Sequence, residues 1–313
     1  VPKFSPIEYE WHGNTLVAST EVSRNVFPSK IGFVLRDETG KDTVKYANQT
    51  YFLNESFKNP MTIAFDNLDP KKHIYSLQIV DGPCLTPFEM NVTDLVWATC
   101  PDSHHPHVLD LGMPSGTKWS CCKVGAKLPG ESSPYYALGN TKADGYGMSA
   151  FNGGYVTNPE DGTYLSNSKL TGTLYDPAKA DMGDPWAMPS IEQLDELVTI
   201  LDFKKPVLPS FAMEPDPTPV LYARAYNGDV LVLPCEGYRH ITGPGRSDNL
   251  DTDAVMLRAG LFPREGGAEE DSQGVLRITA SGAKTLSIAD NDGVQILPVV
   301  GPVDYQVYVD PEV

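Results

Sequence analysis

The chain has 313 residues and a formal charge of −17 at pH 7, with 24 Lys and Arg residues against 41 Asp and Glu residues. This length exceeds one small domain, and about 150 residues per domain predicts two folding units. Hydrophobic residues at 41% and charged residues at 21% match ordinary globular proteins, so disordered and coiled-coil classes are excluded. Because the negative charge repels phosphate groups, nucleic acid and anionic lipid surfaces are not expected partners.

Glycine and proline are abundant, with 27 residues of each. These residues favour turns and interrupt helices, so we expect a mainly β fold with short strands. No apolar run approaches the roughly 20 residues of a membrane helix, so no membrane span is expected. The sequence starts at Val1 rather than Met, which fits an exported chain whose signal, and any lipid anchor, lie outside this sequence.

Five cysteines, an odd number, exclude a fully paired disulfide scaffold. None has the Cys-x-x-Cys spacing that is typical of zinc and redox sites, so we expect structural or inert thiols. A single bridge between Cys84 and Cys100 is the alternative. In a strand, the adjacent Cys121 and Cys122 would point to opposite faces, so one of them is expected to be a small buried hydrophobe.

Residues 1–94 contain short segments that alternate between apolar and polar residues or are rich in β-branched residues. The predicted strands are TLVAST, KIGFVLRDE, TVKYANQTYFL, MTIAFDNL and IYSLQIV. Turn residues separate them, as in DETGK and LDPKK. This pattern is typical of a β-sandwich of about 90 residues.

The segment MTIAFDNLDPKKHIYSLQIV resembles the end of a fibronectin type III or immunoglobulin-like domain, where a leucine, a tight turn and a tyrosine precede a strand. The resemblance places Tyr75 at the tyrosine corner, with its hydroxyl bonded to nearby backbone. It implies a module that spaces or presents another domain rather than a chemical activity.

Residues 95–107 are polar and contain proline, and we expect them to form a linker. His104, His105 and His107 lie here together with Asp102. Neutral imidazoles bind zinc or nickel, but a flexible segment without supporting carboxylates is a poor metal site. The sequence therefore predicts a solvated linker without a metal.

Four blocks follow in order: VLDLGMPSGTKWSCCKVGA from Val108, LYDPAKADMGDPWAMPSIEQLDELV from Leu174, NGDVLVLPCEGYR from Asn227 and DGVQILPVV from Asp292. Together they resemble the Fibrobacter-type major paralogous domain over residues 108–300. This family is common in surface and secreted proteins of Bacteroidetes and Fibrobacteres, and many members are lipoproteins. It is similar to C-type-lectin-like domains and to the formylglycine-generating, sulfatase-modifying fold. The resemblance implies an α+β second unit over residues 108–313 with small sheets, one or two helices and long loops.

The sequence departs from the family's pattern where Ala187 and Leu297 replace two arginines. If those arginines form a structural ion pair, their joint loss is a covariation, because one unpaired buried charge would be costly. If they bind a ligand, this chain has lost it.

A helix is predicted after Pro189. Ser190 and Gln193 have the spacing of a capping box, which satisfies exposed amides at a helix start. The apolar residues that recur at helical spacing are Ile191, Leu194, Leu197, Val198 and Leu201. We expect this helix to pack on a sheet, with Glu192 on the wet face.

Residues 134–175 are rich in Tyr, Asn, Gly and Ser. Aromatic faces stack on the C–H faces of sugars, while amides and hydroxyls pair with sugar hydroxyl groups. The candidate ligand-binding residues here are Tyr135, Tyr136, Tyr146, Tyr155 and Tyr164. The alternative is that these rings hold a long loop in place.

Glu236, Arg239 and His240 follow a predicted strand and offer a polar pocket for a ligand or, with a loop acid, for catalysis. Alternatively, the Tyr238 and Arg239 pair anchors a turn. The sequence carries no G-x-S-x-G, H-E-x-x-H, P-loop or dinucleotide-binding motif. Cys235 lies between a hydrophobic strand and an acid, which predicts a buried thiol with a raised pKa.

Asp248, Asp251 and Asp253 supply hard oxygens at close spacing and form a candidate calcium site. They do not complete an EF-hand loop, and the Glu-Pro-Asn and Trp-Asn-Asp motifs of sugar-binding lectins are absent from the sequence. Solvated turns are the alternative, and no other cofactor is expected.

The sequence thus predicts a non-catalytic, exported cell-surface adhesion or binding protein whose second unit recognises a glycan, a host protein or a fimbrial neighbour through its loops. Attachment to the outer membrane is expected, with the periplasm as an alternative. Two further functions stay open: an enzyme on the sulfatase-modifying-like fold, and a structural fimbrial or assembly subunit. The final segment VDYQVYVDPEV alternates between apolar and polar residues and could add a strand to a neighbour.

Overall fold

The computed structural model describes residues 4–22, 31–46, 60–81, 95–102, 104–142, 170–208, 218–243, 246–260, 271–289 and 292–301. The chain is mainly β, with 42% strand and 8% helix, and its strands form several antiparallel sheets. This confirms the predicted mainly β class. In these ranges no helix is long and apolar enough to cross a membrane.

We use first half for the described residues up to 107 and second half for those from 108 onward, although the second is the longer part of the chain. The first group is β1 (Glu8–His12), β2 (Thr15–Thr20), β3 (Ile31–Asp37), β4 (Asp42–Tyr46), β5 (Met61–Phe65), β6 (Tyr75–Asp81) and β7 (Val96–Trp97). The second group is β8 (Val108–Leu109), β9 (Lys118–Ser120), α1 (Pro177–Met182), α2 (Ile191–Ile200), β10 (Val220–Arg224), β11 (Val230–Pro234), β12 (Tyr238–Gly243), β13 (Arg246–Leu250), β14 (Val255–Arg258), β15 (Asp271–Thr279), β16 (Gly282–Ala289) and β17 (Val299–Val300).

Two antiparallel sheets of the first half share one hydrophobic core. One sheet has the order β1-β2-β5 and the other has the order β4-β3-β6-β7. Alternation along β2 turns Leu16 inward, as the period of two along a strand requires. Leu16 and Phe65 from the first sheet and Phe33 and Leu77 from the second belong to the same buried cluster. Each of the five predicted strand segments of this half overlaps an observed strand.

The hydroxyl of Tyr75 accepts a hydrogen bond from the backbone N–H of Asp69, with an N···O distance of 3.0 Å. This confirms the predicted contact between Tyr75 and nearby backbone. The bond closes the turn that leads into β6.

The start of the predicted linker is part of a sheet. Val96 and Trp97 form β7, which pairs with β6, and both side chains are buried. The next residue, Ala98, accepts a hydrogen bond at 2.7 Å from the indole N–H of Trp11 on β1, a strand that the sequence did not predict. Residues 96–98 are therefore held by the first half rather than spanning freely between two units.

The second half is built from small sheets around a separate core. Their orders are β17-β9-β8, β10-β11, β12-β13 and β14-β15-β16. Trp119 on β9 is fully buried in this core. In the last of these sheets β15 and β16 form a hairpin in which Thr279 lies opposite Gly282.

The predicted helix is confirmed as α2. Ser190 accepts a hydrogen bond from the backbone N–H of Gln193, and the Gln193 side chain accepts one from the backbone N–H of Ser190. The buried face carries Leu194 and Leu197, whereas Glu192 is exposed. This capping box satisfies two amides that the first helical turn leaves without partners.

The two halves contact each other directly. Ile74 and Trp97 of the first half pack with Val220 and Val232 of β10 and β11. The Arg36 guanidinium donates to the carbonyl of Leu208 at 2.6 Å. Apolar packing and hydrogen bonds therefore both join the predicted first and second units.

Candidate functional site

Glu236 lies in a buried network rather than at an open pocket. Its carboxylate accepts hydrogen bonds from the hydroxyl of Ser132 and the amide of Gln295, and it lies 3.6 Å from Nζ of Lys123. The Lys123 ammonium also donates to the carbonyl of Pro234 at 2.9 Å. Burial lowers the pKa of Lys123 to about 8, against the attraction of Glu236. Glu236 therefore has a structural role, because it compensates a buried cation.

The predicted aromatic residues are placed as packing groups wherever the structure describes them. Tyr135 is buried and donates from its hydroxyl to the carbonyl of Glu236 at 2.8 Å. The Arg239 guanidinium lies over the Tyr135 ring in a cation–π contact, with its Cζ atom 4.7 Å from the ring centroid. Tyr136 is buried in a cluster with Val124, and this position gives no support to its predicted binding role. Tyr146, Tyr155 and Tyr164 lie outside the described residues.

His240 is separated from Glu236 and pairs with another acid. Nδ1 of His240 lies 2.9 Å from Oδ1 of Asp292, a buried residue that follows the β15–β16 hairpin. Arg239 and His240 are adjacent on β12, so their side chains point to opposite faces. The structure therefore does not assemble Glu236, Arg239 and His240 into the single pocket that the sequence predicted.

The three aspartates of the candidate calcium site do not converge on an empty position. Arg277 on β15 donates to both carboxylate oxygens of Asp251 at 3.2 Å, and its Nη2 atom lies 3.7 Å from Asp253. Asp248 lies on β13 opposite His240. The Arg277 guanidinium thus lies between Asp251 and Asp253, where the sequence predicted calcium. The prediction failed because local sequence does not indicate that β15 packs beside this turn.

The positions that depart from the family pattern are apolar and buried. Leu297 belongs to the core of the second half, and Ala187 is buried beside β17, where its backbone pairs with Val299.

Cys235 is a buried free thiol, as predicted. Burial raises its pKa to about 11. The thiol therefore stays protonated at neutral pH and is a poor nucleophile.

A cluster of thiols and imidazoles forms where the predicted linker meets the β8–β9 hairpin. In this hairpin Val108 lies opposite Ser120. Extending the pairing by one residue places His107 opposite Cys121, and the backbone N–H of Cys121 donates to the carbonyl of His107 at 3.0 Å. Cys100, which follows β7, approaches from the first half of the chain.

We refer to Cys100, His105, His107, Cys121 and Cys122 as the Cys/His cluster. Cys100 Sγ lies 3.1 Å from Nε2 of His107, and Cys121 Sγ lies 3.3 Å from Nδ1 of His105. The ligand atoms of Cys100, His105 and His107 lie within 4.8 Å of one another, and so do those of His105, Cys121 and Cys122. His105 belongs to both groups, so the five side chains form one continuous cluster.

The three thiols of the Cys/His cluster are buried, whereas the imidazoles of His105 and His107 are half-buried. Nε2 of His105 lies 3.3 Å from the hydroxyl of Tyr9 on β1. The backbone N–H of His107 lies 3.4 Å from Cys121 Sγ. Groups from both halves of the chain therefore orient the cluster.

Electrostatic interactions within the cluster favour a thiolate at Cys121. A hydrogen bond from Cys122 lowers the pKa of Cys121; burial opposes this effect, and further hydrogen bonds from His105 and His107 add to it. The hydrogen bond to Cys121 and burial raise the pKa of Cys122, which keeps its proton. Burial lowers the pKa of His107, but hydrogen bonds with the thiols of Cys100 and Cys121 outweigh burial and raise the pKa to about 10.

The cluster contradicts the predicted solvated linker at two of its three histidines. Only the side chain of His104, which is 95% exposed, fits that prediction, whereas His105 and His107 pack against thiols. Cys100 and Cys121 are free thiols, so the alternative bridge from Cys84 to Cys100 is not formed. The missed signal was the hairpin itself, since pairing VLDL with KWSCC places His107 opposite Cys121.

An exposed aromatic residue, also missed from sequence, lies in the turn between β10 and β11. Tyr226 is 88% exposed. Its side chain lies over Gly112, because a Cβ atom at Gly112 would be only 2.1 Å from Cε1 of Tyr226. Asn227 fixes the turn by accepting from the backbone N–H of Asp229 at 3.0 Å and donating to the carbonyl of Asp110 at 2.7 Å. The ring is therefore displayed on a rigid support.

Comparisons with protein-family models, curated proteins and solved structures found no match for this chain.

Proposed function

We propose that the chain is a non-catalytic, exported binding protein of a bacterial cell surface, and that it recognises neutral glycans through the β10–β11 turn of its second half. The observation that carries the proposal is the exposed ring of Tyr226 on its rigid turn. The proposal includes a fibronectin-like first unit that presents a C-type-lectin-like second unit. The two sheets that share one core in the first half and the small sheets of the second half support it.

The Tyr226 turn is held before any ligand binds. The backbone N–H of Gly228 donates to the carbonyl of Ala225 at 3.0 Å. The Arg224 guanidinium donates to the carbonyls of Gly228 at 2.7 Å and of Lys71 at 2.8 Å, so the first half of the chain also supports the turn. A pre-organised ring loses little entropy on binding, which is the main cost that limits a small contact surface.

The surroundings of Tyr226 favour a sugar over an apolar peptide. A tyrosine ring provides a flat face for the C–H groups of a sugar. The carboxylate of Asp110 accepts a hydrogen bond from the backbone N–H of Gly112 at 3.2 Å and lies 3.4 Å from Nζ of Lys118, and the carboxylate of Asp229 accepts one from Asn227 at 3.0 Å. Both carboxylates are thus fixed near this turn, and a carboxylate has further lone pairs that can accept from sugar hydroxyls. Because the chain carries a charge of −17, uncharged sugars are favoured over sulfated or uronic acid polymers.

The enzyme alternative is less well supported, because Glu236 and His240 belong to separate networks with Lys123 and Asp292. The assembly-subunit alternative depends on the segment VDYQVYVDPEV, which lies outside the described residues. We therefore place glycan binding first.

The test is a glycan array with the purified full chain and two variants. Tyr226→Ala removes the exposed ring, and Leu174→Ala is the matched control, because Leu174 is 70% exposed in the same half of the chain. We expect neutral glycans to bind, with at least about a tenfold loss for Tyr226→Ala and no loss for Leu174→Ala. Absence of any bound glycan, or equal binding by Tyr226→Ala and the parent chain, would overturn the proposal.

A further inference from the structure

We propose that the Cys/His cluster is a structural zinc site in which Cys100, His105, His107 and Cys121 bind one Zn²⁺ ion. The site is independent of the Tyr226 turn and of glycan binding. It would join the first half of the chain to the β8–β9 hairpin through a bound metal.

The donor set fits zinc. Two thiolates and two imidazoles form the Cys₂His₂ combination that zinc binds in tetrahedral geometry. With Zn–S near 2.3 Å and Zn–N near 2.0 Å, donor atoms around one ion lie about 3.3–3.8 Å apart. The Cys100–His107 pair at 3.1 Å and the His105–Cys121 pair at 3.3 Å are already close to this separation. The ligand atom of His105 also lies within 4.8 Å of those of Cys100 and His107, so side-chain rotations that close this remaining gap would bring the two pairs around one ion.

Charge and burial also favour a metal. Two thiolates balance the charge of one Zn²⁺ ion, so a buried site with these four ligands is neutral overall. Cys100 and Cys121 are buried among groups that hold them in place. Without a cation, the buried thiols and half-buried imidazoles would lose hydrogen bonds to water and receive only weak hydrogen bonds from one another in exchange.

Two groups next to the proposed ligands, the Tyr9 hydroxyl and the backbone N–H of His107, can form hydrogen bonds that orient these ligands. When Nδ1 of His105 binds the metal, its Nε2–H faces the hydroxyl of Tyr9 at 3.3 Å. The backbone N–H of His107 points to Cys121 Sγ at 3.4 Å and stabilises a thiolate there. Cys122 stays outside the set as a thiol, with its Sγ atom 3.3 Å from that of Cys121.

The site is closed, which makes its role structural. Four protein ligands fill a tetrahedral shell and leave no position for water or substrate. Cys100 and His105 belong to the segment after β7, and Cys121 follows β9. The segment after β7 is short and contains proline, so it offers little apolar packing, and the bound ion would hold it in place instead. Metal binding would therefore stabilise the folded chain.

The experiment uses the full chain, reduced with a phosphine, stripped of metal with a chelator and titrated with Co²⁺ and then Zn²⁺. Tetrahedral cobalt with thiolate ligands gives intense visible absorption and a thiolate-to-metal charge-transfer band. The ligand variants are Cys121→Ala and His107→Ala. Their matched controls are the sequence neighbours Cys122→Ala and His104→Ala, since His104 is 95% exposed.

We expect one Co²⁺ ion per chain, displaced by one Zn²⁺ ion, in the parent chain and in His104→Ala. Cys122→Ala removes a hydrogen-bond partner of Cys121 but keeps all four donors, so it should also bind one ion and lose less affinity than the ligand variants. The ligand variants should raise the Kd for Zn²⁺ by at least about a hundredfold, and added zinc should raise the Tm of the parent chain but not theirs. Cys121→His distinguishes loss of a ligand from misfolding, because this variant replaces the thiol with an imidazole and keeps four metal donors. It should bind cobalt with a weaker charge-transfer band.

Several results would overturn the proposal. One is a reduced, folded parent chain that gives no tetrahedral cobalt spectrum. Another is a Cys121→Ala variant whose spectrum and zinc affinity equal those of the parent. A third is a loss of binding in Cys122→Ala as large as that in Cys121→Ala.

Discussion

The substitution Glu236→Gln tests whether Glu236 serves the fold, as its position beside buried Lys123 requires. Removing the carboxylate leaves the ammonium group without its counter-charge at 3.6 Å. At an effective dielectric constant of about 20, that attraction is about 4–5 kcal/mol. The folded variant can avoid this loss by releasing the proton of Lys123, whose pKa is about 8 in the parent chain.

Proton release costs about 1.4 kcal/mol for each pH unit below that pKa. The expected destabilisation by Glu236→Gln is therefore about 1 kcal/mol at pH 7 and about 3 kcal/mol at pH 5.5. The sign follows from proton binding: below the pKa of about 8 the parent holds the Lys123 proton in both the folded and the unfolded state. The folded variant holds Lys123 neutral while its unfolded chain binds the proton, so the variant loses stability relative to the parent as the pH falls. The attraction of about 4–5 kcal/mol is larger than both values, so proton release sets the cost.

The assay is urea denaturation followed by tryptophan fluorescence at the two pH values, for Glu236→Gln alone and in a Lys123→Met background. Without the buried amine, the cost of Glu236→Gln should become small and nearly independent of pH. An equal loss of stability at both pH values, or an effect of Glu236→Gln that Lys123→Met leaves unchanged, would show that Glu236 does not compensate the buried amine.

Two substitutions and one labelling experiment test individual contacts and the burial of one thiol. Tyr75→Phe removes the hydrogen bond from Asp69 and should lower the free energy of unfolding by about 1 kcal/mol in urea denaturation; an unchanged value would contradict the corner contact. Ser190→Ala removes the cap that bonds to Gln193 and should cost about 1 kcal/mol in the same assay, whereas a neutral result would contradict the capping box. Cys235, buried and with a pKa of about 11, should resist iodoacetamide at pH 8 until urea unfolds the chain, and peptide mass spectrometry showing rapid native labelling would contradict its burial.

Local patterns predicted the elements that depend on neighbouring residues in the sequence. The capping box at Ser190 and the alternation along TLVAST each act within a few residues, so the sequence alone was enough. The strand EYEWH was missed because its inward positions are the half-buried aromatics Tyr9 and Trp11 and its other residues are charged or polar. Its pairing with β2 provides the stability that its composition does not predict.

The Cys/His cluster could not be read from local spacing, because its members come together through strand register. His107 meets Cys121 across a hairpin, and Cys100 reaches them only because β7 joins the sheet of the first half. Likewise, Glu236 is paired with Lys123 and His240 with Asp292, although Glu236 and His240 are close in sequence. Strand alternation and long-range pairing thus decided which polar residues meet.

Crystals of the full chain grown with zinc would show whether four side chains from both halves of the chain hold one zinc ion. An anomalous difference map recorded at the zinc absorption edge should show one peak, bounded by Cys100, His105, His107 and Cys121. A map without a peak at this position would contradict the zinc site, and so would a disulfide bond between Cys121 and Cys122.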